Sequence, residues 1–168
     1  MFERLESPED VFAWNLGAAL KMERTIVDML DGLIEEANDG SVKQALASHQ
    51  QETRGHVQNL EQAFQAMGWD VDHSPCPTIE AIEKEGKANI KKADDRLADA
   101  LILAGATETE HHEMAVYETL IIQAEGMGRQ EVVQLLNRNL EEEKHALSIV
   151  SRLAREQAGD RSQHQQAA

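Results

Sequence analysis

The sequence predicts an all-α protein, a four-helix bundle with one long crossover that carries a short extra helix. Three observations lead there. Ala, Leu, Glu and Gln dominate a chain of 168 residues in which only 4% are aromatic, a composition that favours helix over sheet. Apolar residues recur at alternating spacings of three and four through four long segments. The links between those segments run short, long, short, which pairs neighbours antiparallel on either side of a single crossover. The length fits one domain with a real core.

Ser7-Pro8-Glu9-Asp10 opens the first helix with a cap, a proline at the first position and acids in the first turn. Phe12, Leu16, Ala19, Glu23, Ile26, Leu30, Leu33 and Ala37 then share one helical phase. Asn38-Asp39-Gly40 is too short a link for anything but an antiparallel neighbour, and Ser41 reads as the cap of the second helix. That helix directs Leu46, His49, Thr53, His56, Leu60 and Met67 inward and ends at Gly68. Residues 69–92 break the pattern. Pro75 and Pro77 flank Cys76, and a short helix opens at Thr78-Ile79-Glu80 and fades near Gly86. The third long helix is expected from about Ala93 to Glu125, ended by the Gly126-Met127-Gly128 turn. The fourth is expected from about Gln130 to Gln157, with Val132, Leu136, Leu140, Leu147, Val150 and Ala154 inward. Residues 1–159 form the expected domain, and residues 160–168 a disordered polar tail. A bundle with one crossover has the connectivity of ferritin-like folds.

Charge and composition narrow the function. A formal charge of −15 argues against nucleic acid and against anionic membrane surfaces as partners. No apolar run is long enough to span a bilayer. The start, MFERLESPED, has acids where a signal peptide needs a basic region and an apolar run, so the expected location is the cytoplasm. A single cysteine rules out an internal disulfide framework.

The informative residues are carboxylates at core phase. Glu23 lies in the first helix's apolar stripe between Ala19 and Ile26. Glu110 and Glu113 share the phase of Leu103, Ala106, Tyr117, Leu120 and Ala124 on the third long helix. On the fourth, Glu143 sits between Leu140 and Leu147, with Glu142 at the stripe's edge. The second helix has Glu52 at its edge and His49 and His56 nearer its centre. Burying an unpaired carboxylate costs several kcal/mol or forces it to take up a proton. Lys21, Arg24, Arg54, Arg138, Lys144 and Arg152 all fall outside the stripes, so a buried Arg–Glu network is disfavoured. Two metal ions would satisfy the acids, with histidines completing the shell.

In di-iron and di-manganese bundles, two helices give one Glu each and the other two give Glu-x-x-His. Glu23, Glu110 and Glu113 fit. Glu142-Glu143-Lys144-His145 is a literal match, but His145 lies roughly 160° from the centre of its stripe at 100° per residue. Either Glu142 or Glu143 is then the ligand on that helix. The second helix offers His49-x-x-Glu52-x-x-x-His56 instead of Glu-x-x-His. His111 lies at a flank as a candidate outer partner, and His112 points outward. Tyr117, one turn beyond Glu113, is a candidate to hydrogen-bond a ligand or serve a one-electron step, with packing as the alternative.

HQQETRGHVQNLEQAF, the Cys76 crossover, the segment from ALILA through EHHEMAVYETL, and LEEEKHA resemble the YciE/YciF-type ferritin-like proteins, a bacterial family of unknown function linked to stress responses. The resemblance covers roughly residues 8–155. It implies a ferritin-like bundle, a dimer, and a di-iron centre. Glu23, Glu52, Glu110, Glu113 and Glu142 or Glu143 fall on the family's acids, and His49 and His111 match family positions. A looser likeness to rubrerythrins rests on Glu110-x-x-Glu113, but the second helix lacks their Glu-x-x-His. The expected cofactor is two iron ions, with manganese as the alternative, because oxygen-rich ligands around an open site suit these metals. The expected chemistry is oxidation of Fe(II) or reduction of dioxygen or peroxide in a protective role. The competing expectation is a stress-associated structural or interaction bundle without redox turnover.

Overall fold

The computed structural model describes residues 4–166, with side chains described through Gly159. Four long helices and one crossover helix account for nearly all of it: α1 Pro8–Glu36, α2 Gly40–Met67, α3 Pro77–Lys92, α4 Ala98–Gly126 and α5 Gln130–Gln166. A single 3-10 turn, Asp95–Leu97, leads into α4.

The start of α1 is as its sequence requires. The Ser7 hydroxyl accepts from Asp10 N, and the Asp10 carboxylate accepts from Ser7 N, a reciprocal box beside Pro8. The cap of α2 is Asp39 rather than Ser41. Its carboxylate accepts from Ser41 N and Val42 N, and a charged acceptor at the end of a helix outcompetes the hydroxyl two residues on. At the other end Gly68 takes φ 74°, and Trp69 N bonds back to Phe64 O. The crossover helix departs most from expectation. It runs through Gly86 to Lys92, because its 16 residues contain no proline after the first and place Ile79, Ile82 and Ile90 on the bundle. Ala93 caps that helix instead of starting the next one. Asp94 accepts from Arg96 N and sets the 3-10 turn, so α4 begins at Ala98. The helical backbone of α5 continues to Gln166, past the expected end near Gln157. Residues 167–168 of the expected polar tail lie outside the described residues.

The direction of α4 is fixed by polar contacts at one end of the bundle. Asp99 accepts from the backbone N–H of Asn38 and of Asp39, and Asn38 Nδ2 donates to Asp95 O. The start of α4 therefore lies beside the α1–α2 turn, the crossover travels the length of the bundle, and α4 runs parallel to α2. Gly128, at φ 69°, turns the chain so that α5 returns antiparallel to α4. The crossover lies against α1 at Gly17. A Cβ there would sit 2.9 Å from Ser74 Oγ and 3.1 Å from Ser74 N. Gly17→Ala is expected to destabilise the protein by about 1–3 kcal/mol through overpacking, read as a lowered denaturation midpoint with an unchanged slope. An unchanged midpoint would show that the loop yields freely.

Phe12, Leu16, Leu20, Leu60, Phe64, Leu120 and Leu136 fill one half of the core, and Leu30, Val42, Leu46, Ile102 and Val150 line the other. Between the two halves the core is polar.

Candidate metal centre

Each long helix contributes to this polar layer through its own periodicity. Glu23 of α1 has no exposed surface. On α2, His49, Thr53 and His56 fall at i, i+4 and i+7 of one face, and all are buried. Glu110 and Glu113 of α4 and Glu143 of α5 are buried at corresponding heights.

Two groups of these residues converge closely enough to hold a metal ion. In each, one ligand atom per residue lies within 4.8 Å of all the others: His49, Glu110, Glu113 and Glu143 in one, and Glu23, His56 and Glu143 in the other. Glu143 belongs to both. Its Oε1 is 2.8 Å from His56 Nδ1, and its Oε2 is 3.8 Å from His49 Nε2. His49 Nε2 also lies 3.3 Å from Glu110 Oε1, and His56 Nδ1 lies 3.6 Å from Glu23 Oε2.

Close approach here is not satisfaction. Glu23 Oε2, Glu110 Oε2, both oxygens of Glu113, both oxygens of Glu143, and Nδ1 of His49 and His56 are buried without a hydrogen bond. The 2.8 Å contact of His56 with Glu143 is therefore an ion-pair distance without hydrogen-bond alignment. Buried polar atoms are normally paired, so a cluster of unpaired oxygen and nitrogen ligand atoms calls for an explanation, and a bound cation is one that would satisfy all of them. Among the described residues, no lysine or arginine ion pair reaches these acids. The donor set fits hard or borderline divalent cations.

Without a cation the cluster holds protons. Burial, then the neighbouring Glu143, pushes the Glu110 carboxyl up to about 10, and burial drives Glu113 and Glu23 the same way. Burial alone would lower His56, but its contacts with Glu143 and Glu23 outweigh this and raise it to about 11. Burial alone would raise Glu143, but His56 and His49 outweigh it and hold this carboxylate below its ordinary value. The layer thus favours an imidazolium at His56 facing a carboxylate at Glu143, with burial raising the acids around them.

A second set of bonds aims the cluster from outside. Asn59 Nδ2 donates to Asn139 Oδ1 at 2.6 Å, and Asn139 Nδ2 donates to the Tyr117 oxygen at 3.0 Å. The Tyr117 hydroxyl in turn donates to Glu23 Oε1. Glu142 is not in the core. Its side chain is about two-fifths exposed, and its Oε2 lies 2.9 Å from Nε2 of His56, on the ring edge away from the cluster.

Of the residues expected from sequence, Glu23, His49, His56, Glu110, Glu113 and Glu143 come together, and Tyr117 touches Glu23. Glu52 stays at the rim, 3.6 Å from His49 Nδ1 and over a third exposed. His145 is exposed, as its phase requires. His111 is exposed as well, so it is no outer partner: one residue beyond the buried Glu110, it is rotated out of the bundle. Sequence reading missed Asn59 and Asn139 as functional residues and took Thr53 only as part of a stripe. All three are polar residues at core phase, three or four positions from a buried His or Glu. Thr53-Arg54-Gly55-His56 puts threonine where Glu-x-x-His would put its acid, and Thr53 Oγ1 satisfies itself on His49 O.

A family model described as a domain of unknown function, DUF892, matches residues 7–163, which span all five helices and every residue of the cluster. The chain belongs to the DUF892 family. Over 142 residues it is 28% identical to Protein YciF of Escherichia coli K12, covering 83% of this chain and 86% of that protein. The solved structure of the E. coli stress protein YciF superposes with a TM-score of 0.85, covering 89% of this chain and 96% of that one. YcfI of Rhodopseudomonas palustris, described as a putative structural protein, gives 0.87 at 33% identity, covering 90% and 97% of the two chains. A ferritin-like, diiron-carboxylate protein of Bacillus anthracis gives 0.69 at 18% identity, covering 89% and 99%. This member of DUF892 thus has a ferritin-like helical fold around a buried His/Glu cluster whose geometry could hold a metal ion. Among its described residues, no helix is long and apolar enough to cross a membrane.

Proposed function

We propose that the protein binds a dinuclear iron (or manganese) centre between its four long helices and uses it in protection against oxidative stress. The observation that carries this is the set of orphaned ligand atoms on two groups that share Glu143. In this reading His49, Glu110, Glu113 and Glu143 hold one ion, and Glu23, His56 and Glu143 hold the other. The pair, when bound, would supply one-electron chemistry at iron, accepting electrons from Fe(II) and passing them to dioxygen or peroxide.

The chain's own part follows from its geometry. With Nε2–H of His56 donating a hydrogen bond to Glu142, the Nδ1 lone pair faces Glu23 and Glu143. Glu143 is then the ligand of α5, and Glu142 positions a ligand. Asn139 donates to the Tyr117 oxygen, so the phenol proton has Glu23 Oε1 as its acceptor and Glu23 Oε2 is left for the metal. Tyr117 is the one phenol in contact with the cluster and the group we place on the path of an electron or proton. Glu52, at the rim beside His49, contacts a ligand rather than serving as one in this reading. We extend the reading to a homodimer. Val11, Trp14 and Ile122 expose apolar surface on α1 and α4, next to the Asn15–Gln123 hydrogen bond that joins these helices.

Metal analysis after anaerobic Fe(II) loading and desalting tests the proposal. About two irons per chain are expected, against fewer than one in the Glu23→Ala/Glu113→Ala double variant. Wild-type protein with less than one iron, unchanged by the double substitution, would end this reading. A second reading is a bundle without redox turnover, suggested by the description of the R. palustris relative as a structural protein. Full metal occupancy with no Fe(II)-dependent consumption of dioxygen or peroxide would favour it.

A further inference from the structure

A deep apolar groove lies above the polar layer. A cavity of about 350 Å³ runs between α1, α2, α4 and α5, with α3 closing one side through Ile82, Gly86 and Ile90. It extends along α1 from Ile26 to Glu36, roughly 15 Å at 1.5 Å per residue, so it is elongated along the bundle. Small residues line it where large ones would narrow it: half-buried Gly86 and Gly105, at each of which an added Cβ would meet nothing within 4 Å, together with Ala106 and Ala146. Its walls are mostly apolar but open to solvent past Glu35, Glu36 and Lys91, so a guest with an aliphatic body would remove exposed apolar surface from water.

One end differs. The floor is formed by His49 and Glu110, whose Nδ1 and Oε2 are buried without hydrogen-bond partners. The far end is bounded by Leu33, Val42 and Leu101. A guest that suits both ends has an aliphatic body and one polar terminus. A cavity of about 150 Å³ accepts the six carbons of benzene, so this one takes roughly ten or more.

We infer that the cavity binds a linear aliphatic molecule of roughly ten carbons with one terminal oxygen group, its chain between the helices and its oxygen at His49 and Glu110. This rests on the metal-centre reading in one respect only: that the oxygen ends beside the ions and makes such a molecule a candidate substrate. Chain binding itself needs the cavity alone.

The test is calorimetric titration of the full chain, iron-loaded and iron-free, with 1-decanol. One decanol per chain is expected, with 1-butanol roughly 100-fold weaker or more because six methylenes are lost. Gly105→Leu and Ala146→Phe, which fill the space, should each weaken decanol about tenfold or more while leaving iron content and helical circular dichroism unchanged. In crystals grown with 10-bromodecan-1-ol, the bromine anomalous peak should lie near Leu33 and Leu101. The inference is overturned by a folded protein that does not bind decanol saturably, by binding that persists within twofold in both folded variants, or by bromine beside His49. Decanol binding without iron binding would sink the metal centre and keep this inference. Iron binding without decanol binding would do the reverse.

Discussion

Replacing Glu143 with leucine is expected to abolish binding of both metal ions, while Glu113→Leu leaves one ion per chain. Glu143 is the one residue common to the two groups of convergent ligands, whereas Glu113 belongs only to the group with His49 and Glu110. Losing Glu143 removes an oxygen from each ion at once, and it removes the carboxylate 2.8 Å from His56. Changing residues that merely orient ligands costs about 10–100-fold in affinity, so a shared ligand should cost at least about 100-fold at each position. Leucine is preferred to glutamine because it offers no replacement oxygen. Metal content after dialysis against a weak chelator reads the result: about two, one and zero ions for wild type, Glu113→Leu and Glu143→Leu. Two ions retained by a folded Glu143→Leu protein would contradict the shared-ligand arrangement.

The second large effect is on stability. Metal-free protein is expected to melt at steadily lower temperature from about pH 6 to about pH 9, while metal-loaded protein melts higher and changes little. The Glu110 carboxyl titrates near 10 in the folded chain against an ordinary 4.5, so between those values the folded state holds a proton that the unfolded state has released. Stability from such a group is complete below about pH 4.5 and is lost as pH rises toward 10. His56 has the same sign, with its window between 6.5 and about 11. Glu23 and Glu113 are raised and add in the same direction. Glu143 is lowered, so its contribution is lost only on acidification below its ordinary 4.5, outside this window. A bound cation replaces these protons, which is why the loaded protein escapes the trend and why affinity should rise with pH. At a ligand excess of about 100-fold over Kd, loading should raise Tm by about 5–10 °C. Melting curves at four pH values, with and without metal, decide it. A metal-free Tm that climbs toward pH 9 would mean the acids are not held protonated in the fold.

Helical phase was enough to find most of the cluster. Glu23, Glu110, Glu113 and Glu143 each sit three or four residues from leucines, isoleucines or alanines on the same stripe, and a helix gives such residues one direction. The exposure of His145 followed by the same rule. Phase placed Glu143 in the stripe and Glu142 at its edge but left both as candidate ligands; what separates them is the neighbour on α2, since His56 meets Glu143 with Nδ1 and Glu142 with Nε2. Thr53, Asn59 and Asn139 carry no charge, so their presence at core phase created no conflict that pointed to a role. Only the packing of α5 against α2 and α4 reveals that Asn139 sits between Asn59 and Tyr117.

The same division holds for the fold. The sequence by itself determined the four long helices, the capping of α1, the turns at Gly68 and Gly128, and the acids that face inward, because each depends on residues within one or two turns of one another. Only the tertiary structure decided the course of the crossover, the pairing of His56 with Glu142 and Glu143, and the groove above the polar layer. These depend on groups far apart in the chain: Asp99 meets Asn38 across 61 residues, and His56 meets Glu142 across 86. No local rule of propensity or periodicity reaches that far.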